Sequence, residues 1–94
     1  MTFSVEQLQM AHKHTSSHRD EVASSEICGC FYCRSTFQPS TIERWLNEGS
    51  GTALCPGCDI DSVLGSASGY PVAAAEFLEA MHEYWFERTV HVTN

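Results

Sequence analysis

A chain of 94 residues has room for one domain with a small core, and at that size a bound metal would weigh heavily in its stability. Twelve acidic against five basic side chains, for a formal charge of −7, oppose a phosphate backbone and suit a basic protein partner or plain solubility. No apolar run approaches the roughly 18 residues that span a bilayer, and the opening MTFSVEQLQM lacks the basic and apolar regions of a secretory signal.

In chain order, Val5, Leu8 and Ala11 recur at helical spacing behind Ser4, which with Gln7 forms a capping box, so a first amphipathic helix is expected from Ser4 to about His14. The polar stretch HKHTSSHRDE follows. Within it Ser17 and Asp20 offer a weaker cap for one or two helical turns through Ala23, which completes a helical N-terminal segment, residues 1–23. ICGCFY, rich in β-branched and aromatic residues, reads as a short strand. Ser40 and Glu43 repeat the capping-box pattern behind Pro39, and Ile42, Trp45 and Leu46 share one face, which predicts an inserted helix from Thr41 to Asn47 ended by Gly49. SGTALC and DIDSVLG read as a turn with a short strand and a second strand. The connector GSASGYP then leads into an aromatic C-terminal helix, residues 71–88, with Phe77, Leu78, Met81, Tyr84, Trp85 and Phe86. The closing TVHVTN is open between an edge strand and a loose tail.

The chemistry concentrates in residues 27–64. Cys30 and Cys33, then Cys55 and Cys58, form two C-x2-C pairs separated by twenty-one residues, the ligand set of a tetrahedral structural zinc. Paired thiols plus an odd fifth cysteine fit a reducing cytoplasm better than a disulfide framework. Each pair is expected in a tight turn, with Gly29 and Gly57 supplying backbone freedom. Four thiolates close the coordination sphere and leave no position for a catalytic water, so the zinc is expected to be structural and the chain not an enzyme. The fold expected is a small α+β domain stapled by zinc: a zinc-ribbon-like pair of cysteine turns with short strands, the inserted helix and the C-terminal helix.

Other reactive residues have bland roles. Cys28, two positions before Cys30 on the same strand, can face the metal side and is read as a small semi-buried residue rather than a reactive thiol. His14 and His18 stand at a chelating spacing with no third ligand, and default to surface histidines. His82 is read as a packed, hydrogen-bonded histidine, and Asp59, Asp61 and Ser62 as turn or capping residues.

The chain resembles a group of short bacterial cytoplasmic zinc-binding proteins. Their pattern runs from a C-F-x-C turn through a Phe-Pro segment and an I-x-x-W helix to TALCPxCGIDSVIG and a Gly-Tyr-Pro lead into a last helix. Cys30, Phe31, Cys33, Ile42, Trp45, residues 52–58 and 60–63, Gly65 and residues 69–71 match position by position, and SSHRDE and MHEYWF are similar too. Asp59 stands where the pattern has Gly, and Gln38 separates Phe37 from Pro39. The resemblance, spanning about His14 to Phe86, implies a zinc site and a cytoplasmic location and brings no activity with it. A more distant likeness to zinc ribbons and to treble-clef modules such as the HNH nucleases is one of fold alone, since the chain has no His-Asn-His series.

The expectation for function is a protein-interaction module held by structural zinc, in one version an immunity protein or inhibitor of a basic partner; a homodimer is compatible with the aromatic helix. The alternatives are a zinc-ribbon nucleic-acid binder using Arg34, Arg44 and Tyr32, and an enzyme using His14, His18, Cys28 or Asp61.

Overall fold

The computed structural model describes residues 3–87. Helix α1, Val5–His12, opens with the anticipated capping box: Ser4 Oγ accepts from the Gln7 amide at 3.1 Å, and Gln7 Oε1 accepts from the Ser4 amide at 2.8 Å. Leu8 and Ala11 bury its inner face. Helix α2, Arg19–Ala23, buries Val22. Ser17 does not cap it, because its hydroxyl accepts the Ser50 amide at 3.1 Å and its backbone is left-handed at φ 50°.

Strand β1, Cys28–Cys30, lies between β2, Thr36–Phe37, and β5, Val63–Gly65, antiparallel to both. The pleat sends alternate residues to opposite faces and so divides the core in two. Cys28, Cys30 and Val63 pack with Val22, Ile42, Ala53 and Cys55 on one side. On the other, Leu64 joins Leu8, Ala11, Phe31, Val72, Phe77, Leu78 and Met81. Gly29 faces this second side, where a Cβ would stand 2.4 Å from the Val72 carbonyl oxygen and 3.1 Å from Leu78. Glycine is therefore required there by close approach of backbone to backbone, and the turn freedom expected of it is not what it supplies.

The inserted helix from Thr41 to Asn47 does not form. Pro39–Thr41 makes one 3₁₀ turn, Ile42 is already extended at φ −78°, ψ 122°, and Trp45–Leu46 is a strand, β3, paired antiparallel with β4, Thr52–Ala53. Two causes are local: the Thr41 hydroxyl donates back to the Gln38 carbonyl at 2.7 Å, and the loop carries Gly49 at φ 53° and Gly51 at φ 121°, which favour a hairpin. The third is tertiary, since in the strand the Trp45 ring lies 4.3 Å beneath the Arg19 guanidinium and edge-on to His18. Ile42 is buried as anticipated, whereas Trp45 and Leu46 are half-buried.

The C-terminal α-helix, α3, spans Ala75–His82, starting later than the sequence predicts, and continues as a single π turn, Glu83–Glu87. Phe77, Leu78 and Met81 enter the core. Tyr84, Trp85 and Phe86 are half-buried: Gln9 Nε2 donates to the Tyr84 hydroxyl at 2.8 Å, the Trp85 ring lies 4.1 Å from His12, and Phe86 lies 5.5 Å from Phe31. The aromatic helix thus covers α1 and the first cysteine turn of its own chain. The closing TVHVTN lies outside the described residues. No helix among those described is long and apolar enough to cross a membrane.

Candidate metal centre

The two C-x2-C segments fold as near-copies of one another. In the first, at the tip of the β1–β2 hairpin, Cys30 donates its amide to the Ser35 carbonyl at 2.9 Å and its carbonyl accepts the Arg34 amide at 2.7 Å. In the second, following β4, Cys55 donates to the Ile60 carbonyl at 3.0 Å and accepts from the Asp59 amide at 2.9 Å. Arg34 and Asp59, the residues after the second cysteine of each pair, take left-handed φ values of 64° and 65°. The positive φ in these turns belongs to them, and Gly57 has none. Asp in place of the pattern's Gly at 59 is thus explained, since Asp tolerates this region better than most residues.

These turns bring the sulfurs of Cys30, Cys33, Cys55 and Cys58 within 4.8 Å of one another, and all are free thiols. Two of the separations run between the turns, Cys30 to Cys58 and Cys33 to Cys55, both 3.7 Å. A tetrahedral ion with metal–sulfur bonds of about 2.3 Å requires sulfurs about 3.8 Å apart, so the donors present fit such an ion. Four soft sulfurs in this geometry are a ligand set for zinc or a mononuclear iron. When bound, the ion would hold the four sulfurs as thiolates and join the two turns.

The protein environment is uneven across the site. Cys30 and Cys55 are fully buried, Cys58 is half-buried and Cys33 is exposed. Burial pushes the Cys30 thiol well above its ordinary range and Cys58 up to about 11. At Cys33 burial also acts upward but is outweighed by hydrogen bonds, chiefly from the Ser35 hydroxyl and amide, and its pKa falls to about 7. Ser35 Oγ is 3.0 Å from Cys33 Sγ and 4.0 Å from Cys55 Sγ, and the Gly57 amide donates to Cys55 Sγ at 3.3 Å. Ser35 was not singled out in the sequence, and Arg34 was named there only as a nucleic-acid contact, not as a turn residue; the signal available for both was their position just after a C-x2-C pair.

Cys28 faces the same side of β1 as Cys30 but stays outside the cluster. It is fully buried, and desolvation raises its thiol to about 11, the profile of an inert packing residue. His14 and His18 are not brought together as ligands. His18, buried rather than on the surface as expected, has both ring nitrogens engaged: Nδ1 with the His14 carbonyl at 2.5 Å and Nε2 with the Ala53 amide at 3.0 Å. Accepting from an amide requires Nε2 to be unprotonated, so Nδ1 carries the proton and donates to His14. His14 Nδ1 is 3.0 Å from both carboxylate oxygens of Glu21. His82 meets its expectation, donating from Nδ1 to the Phe31 carbonyl at 3.0 Å with Glu87 3.4 Å from Nε2. Asp59 closes its turn and pairs with Arg44 at 2.7 Å; the Ser62 carbonyl accepts the Phe31 amide at 3.1 Å, and Asp61 is exposed.

The SSHRDE stretch is accounted for as a clamp: Ser17 and Arg19 bind the backbone of Ser50, His18 binds Ala53, and Glu21 binds His14. What emerges is a small α+β chain with short antiparallel strands and one cluster of four cysteines placed to hold a metal ion. No family model, curated protein or solved structure matches this chain.

Proposed function

We propose that this chain is a zinc-stapled protein-interaction module whose partner is basic, acting in a bacterial cytoplasm as an inhibitor or immunity protein. The two cysteine turns would hold one structural Zn²⁺ in the manner of a zinc ribbon, with β1 and β4 leading into them. The observation that carries the functional reading is where the carboxylates lie. Eleven of the twelve are exposed, and Glu76, Glu79, Glu83 and Glu87 line up along the outer face of the last helix and its π turn at spacings of three and four residues. Tyr32, 43% exposed, stands beside the C-terminal end of that element with its ring 5.0 Å from Phe86, offering an aromatic contact near the acidic row.

Arg34 is paired with Glu79 at 3.1 Å, Arg44 with Asp59 at 2.7 Å, and Arg19 is held over Trp45. The two cations of the nucleic-acid reading, Arg34 and Arg44, each stand against a carboxylate on a chain of net charge −7, which favours the protein-partner reading over it.

The test is co-purification of the tagged, zinc-loaded chain from its native host, beside a variant carrying Glu76→Lys, Glu79→Lys and Glu83→Lys. A stoichiometric basic protein should accompany the original chain and be lost from the variant at unchanged zinc content. Recovery of both chains alone would refute the reading.

A further inference from the structure

We propose that the metal centre is also a redox-sensitive latch, opened by a hydroperoxide that attacks Cys33 first. The inference rests on the reading that zinc occupies the four-cysteine site, and it concerns the order in which the ligands fail.

All four sulfurs lie within 4.8 Å of one another, and two pairs that cross between the turns, Cys30 with Cys58 and Cys33 with Cys55, are each 3.7 Å apart. Proximity alone gives no preference between them. Access does, because Cys33 is the exposed ligand and Cys58 only half-buried, while Cys30 and Cys55 are sealed in the core. An oxidant arriving from water therefore meets the Cys33 sulfur first, and a second sulfur is within reach to complete the reaction.

The chemistry balances with a hydroperoxide as the sole oxidant. The Cys33 thiolate attacks the outer oxygen of ROOH; the O–O bond breaks, a sulfur–oxygen bond forms, and with one proton taken up the products are Cys33–SOH and ROH. The Cys55 thiolate then attacks the Cys33 sulfur, expelling hydroxide, which takes up a proton to become water, and leaving a Cys33–Cys55 disulfide. Two thiolates have lost their charge, the ion keeps two of its four ligands, and zinc leaves. Because one sulfur comes from each turn, the disulfide holds the turns together while the metal departs, which makes the step reversible by a thiol and fresh zinc.

Ser35 sets the sensitivity. Its hydroxyl lies 3.0 Å from Cys33 Sγ, and donating a hydrogen bond to a thiolate draws off the electron density that makes it nucleophilic. Ser35 is a positioning residue that slows the attack without binding the metal.

The experiment treats the zinc-loaded full chain with hydrogen peroxide, follows released zinc with a chromogenic chelator, and maps the first disulfide by peptide mass spectrometry. Release of about one zinc per chain with Cys33–Cys55 as the earliest disulfide is expected. Replacing Ser35 by alanine, which spares all four ligands, should speed release about five-fold, the loss of one hydrogen bond's worth of stabilisation. An earliest disulfide other than Cys33–Cys55, retention of zinc by the oxidised chain, or equal release rates for Ser35→Ala and the parent would each overturn the proposal. A chain that purifies without zinc fails at the earlier step and refutes the zinc reading itself, an outcome distinct from a zinc-loaded chain that resists peroxide.

Discussion

At the scale of single residues, the two left-handed positions in the cysteine turns show how much of the site was legible beforehand. The clustering of the four cysteines was legible because C-x2-C spacing is a direct consequence of what a chelating turn needs. The departure of Asp59 from a glycine pattern was a hint of positive φ, while Arg34 gave none, since nothing about an arginine suggests that backbone region. A comparison of Arg34→Asn with Arg34→Val isolates this backbone requirement, because both variants lose the exposed ion pair with Glu79 equally. The valine variant should be less stable than the asparagine variant by about 1–2 kcal/mol in urea denaturation of the zinc-loaded chain, as a β-branched residue at φ near 64° is strained where asparagine is tolerated. Equal midpoints would mean that the turn relaxes to ordinary φ without loss.

Among the elements, the hairpin formed by β3 and β4 is where sequence and structure part. Ser40, Glu43 and the 42, 45, 46 spacing fit a helix, yet the same stretch ends in NEGSG, whose glycines suit a hairpin loop equally well. What decided between them, the packing of Trp45 under Arg19 and the bond from Ala53 to His18, depends on residues far away in sequence and could not be read locally. His18 was underestimated for the same reason: its partner is a backbone amide 35 residues on. The bond links the start of α2 to β4 and gives stability a pH dependence. Burial lowers the pKa of His18, against which its hydrogen bond to the His14 backbone and the Glu21 carboxylate act more weakly. A depressed folded-state pKa means that this contribution is complete above the unfolded value of about 6.5 and is lost as pH falls through the folded value. The melting temperature of the zinc-loaded chain should therefore drop on acidification below about pH 6.5, and the drop attributable to this residue should vanish in His18→Gln, with zinc content monitored in both. Identical slopes would show that another group controls the acid limb.

For the whole molecule, the cluster lies where the apolar side of the core, with Val22, Ile42, Ala53 and Val63, meets the two cysteine turns. The buried side chains of that half are small or medium-sized, with Phe37 and Trp45 packed only partly buried at its edge, whereas the half under α3 is built from Phe31, Phe77, Leu64, Leu78 and Met81. Metal removal should act accordingly. A strong chelator under reducing conditions should lower the melting temperature by well over 10 °C or abolish the cooperative transition, since binding energy and folding energy are the same quantity at such a site. Native mass spectrometry should find one zinc per chain before treatment and none after. A chain that melts identically with and without chelator would remove the metal from the account of stability. The small α+β class and the four-cysteine cluster were readable from the sequence because patterning and spacing are local properties. The division of the core was not, because it follows from the pleat of a three-residue strand, β1, whose middle residue is a glycine.

That each turn contributes two of the four clustered sulfurs has a consequence for covalent continuity. Cys30 and Cys33 lie before the exposed loop at residues 47–50, and Cys55 and Cys58 lie after it. A protease cutting that loop would leave one ligand pair on each fragment, and with the ion bound the two pieces would travel as a single particle. The peptide bond there is dispensable to the assembled molecule so long as the metal is not.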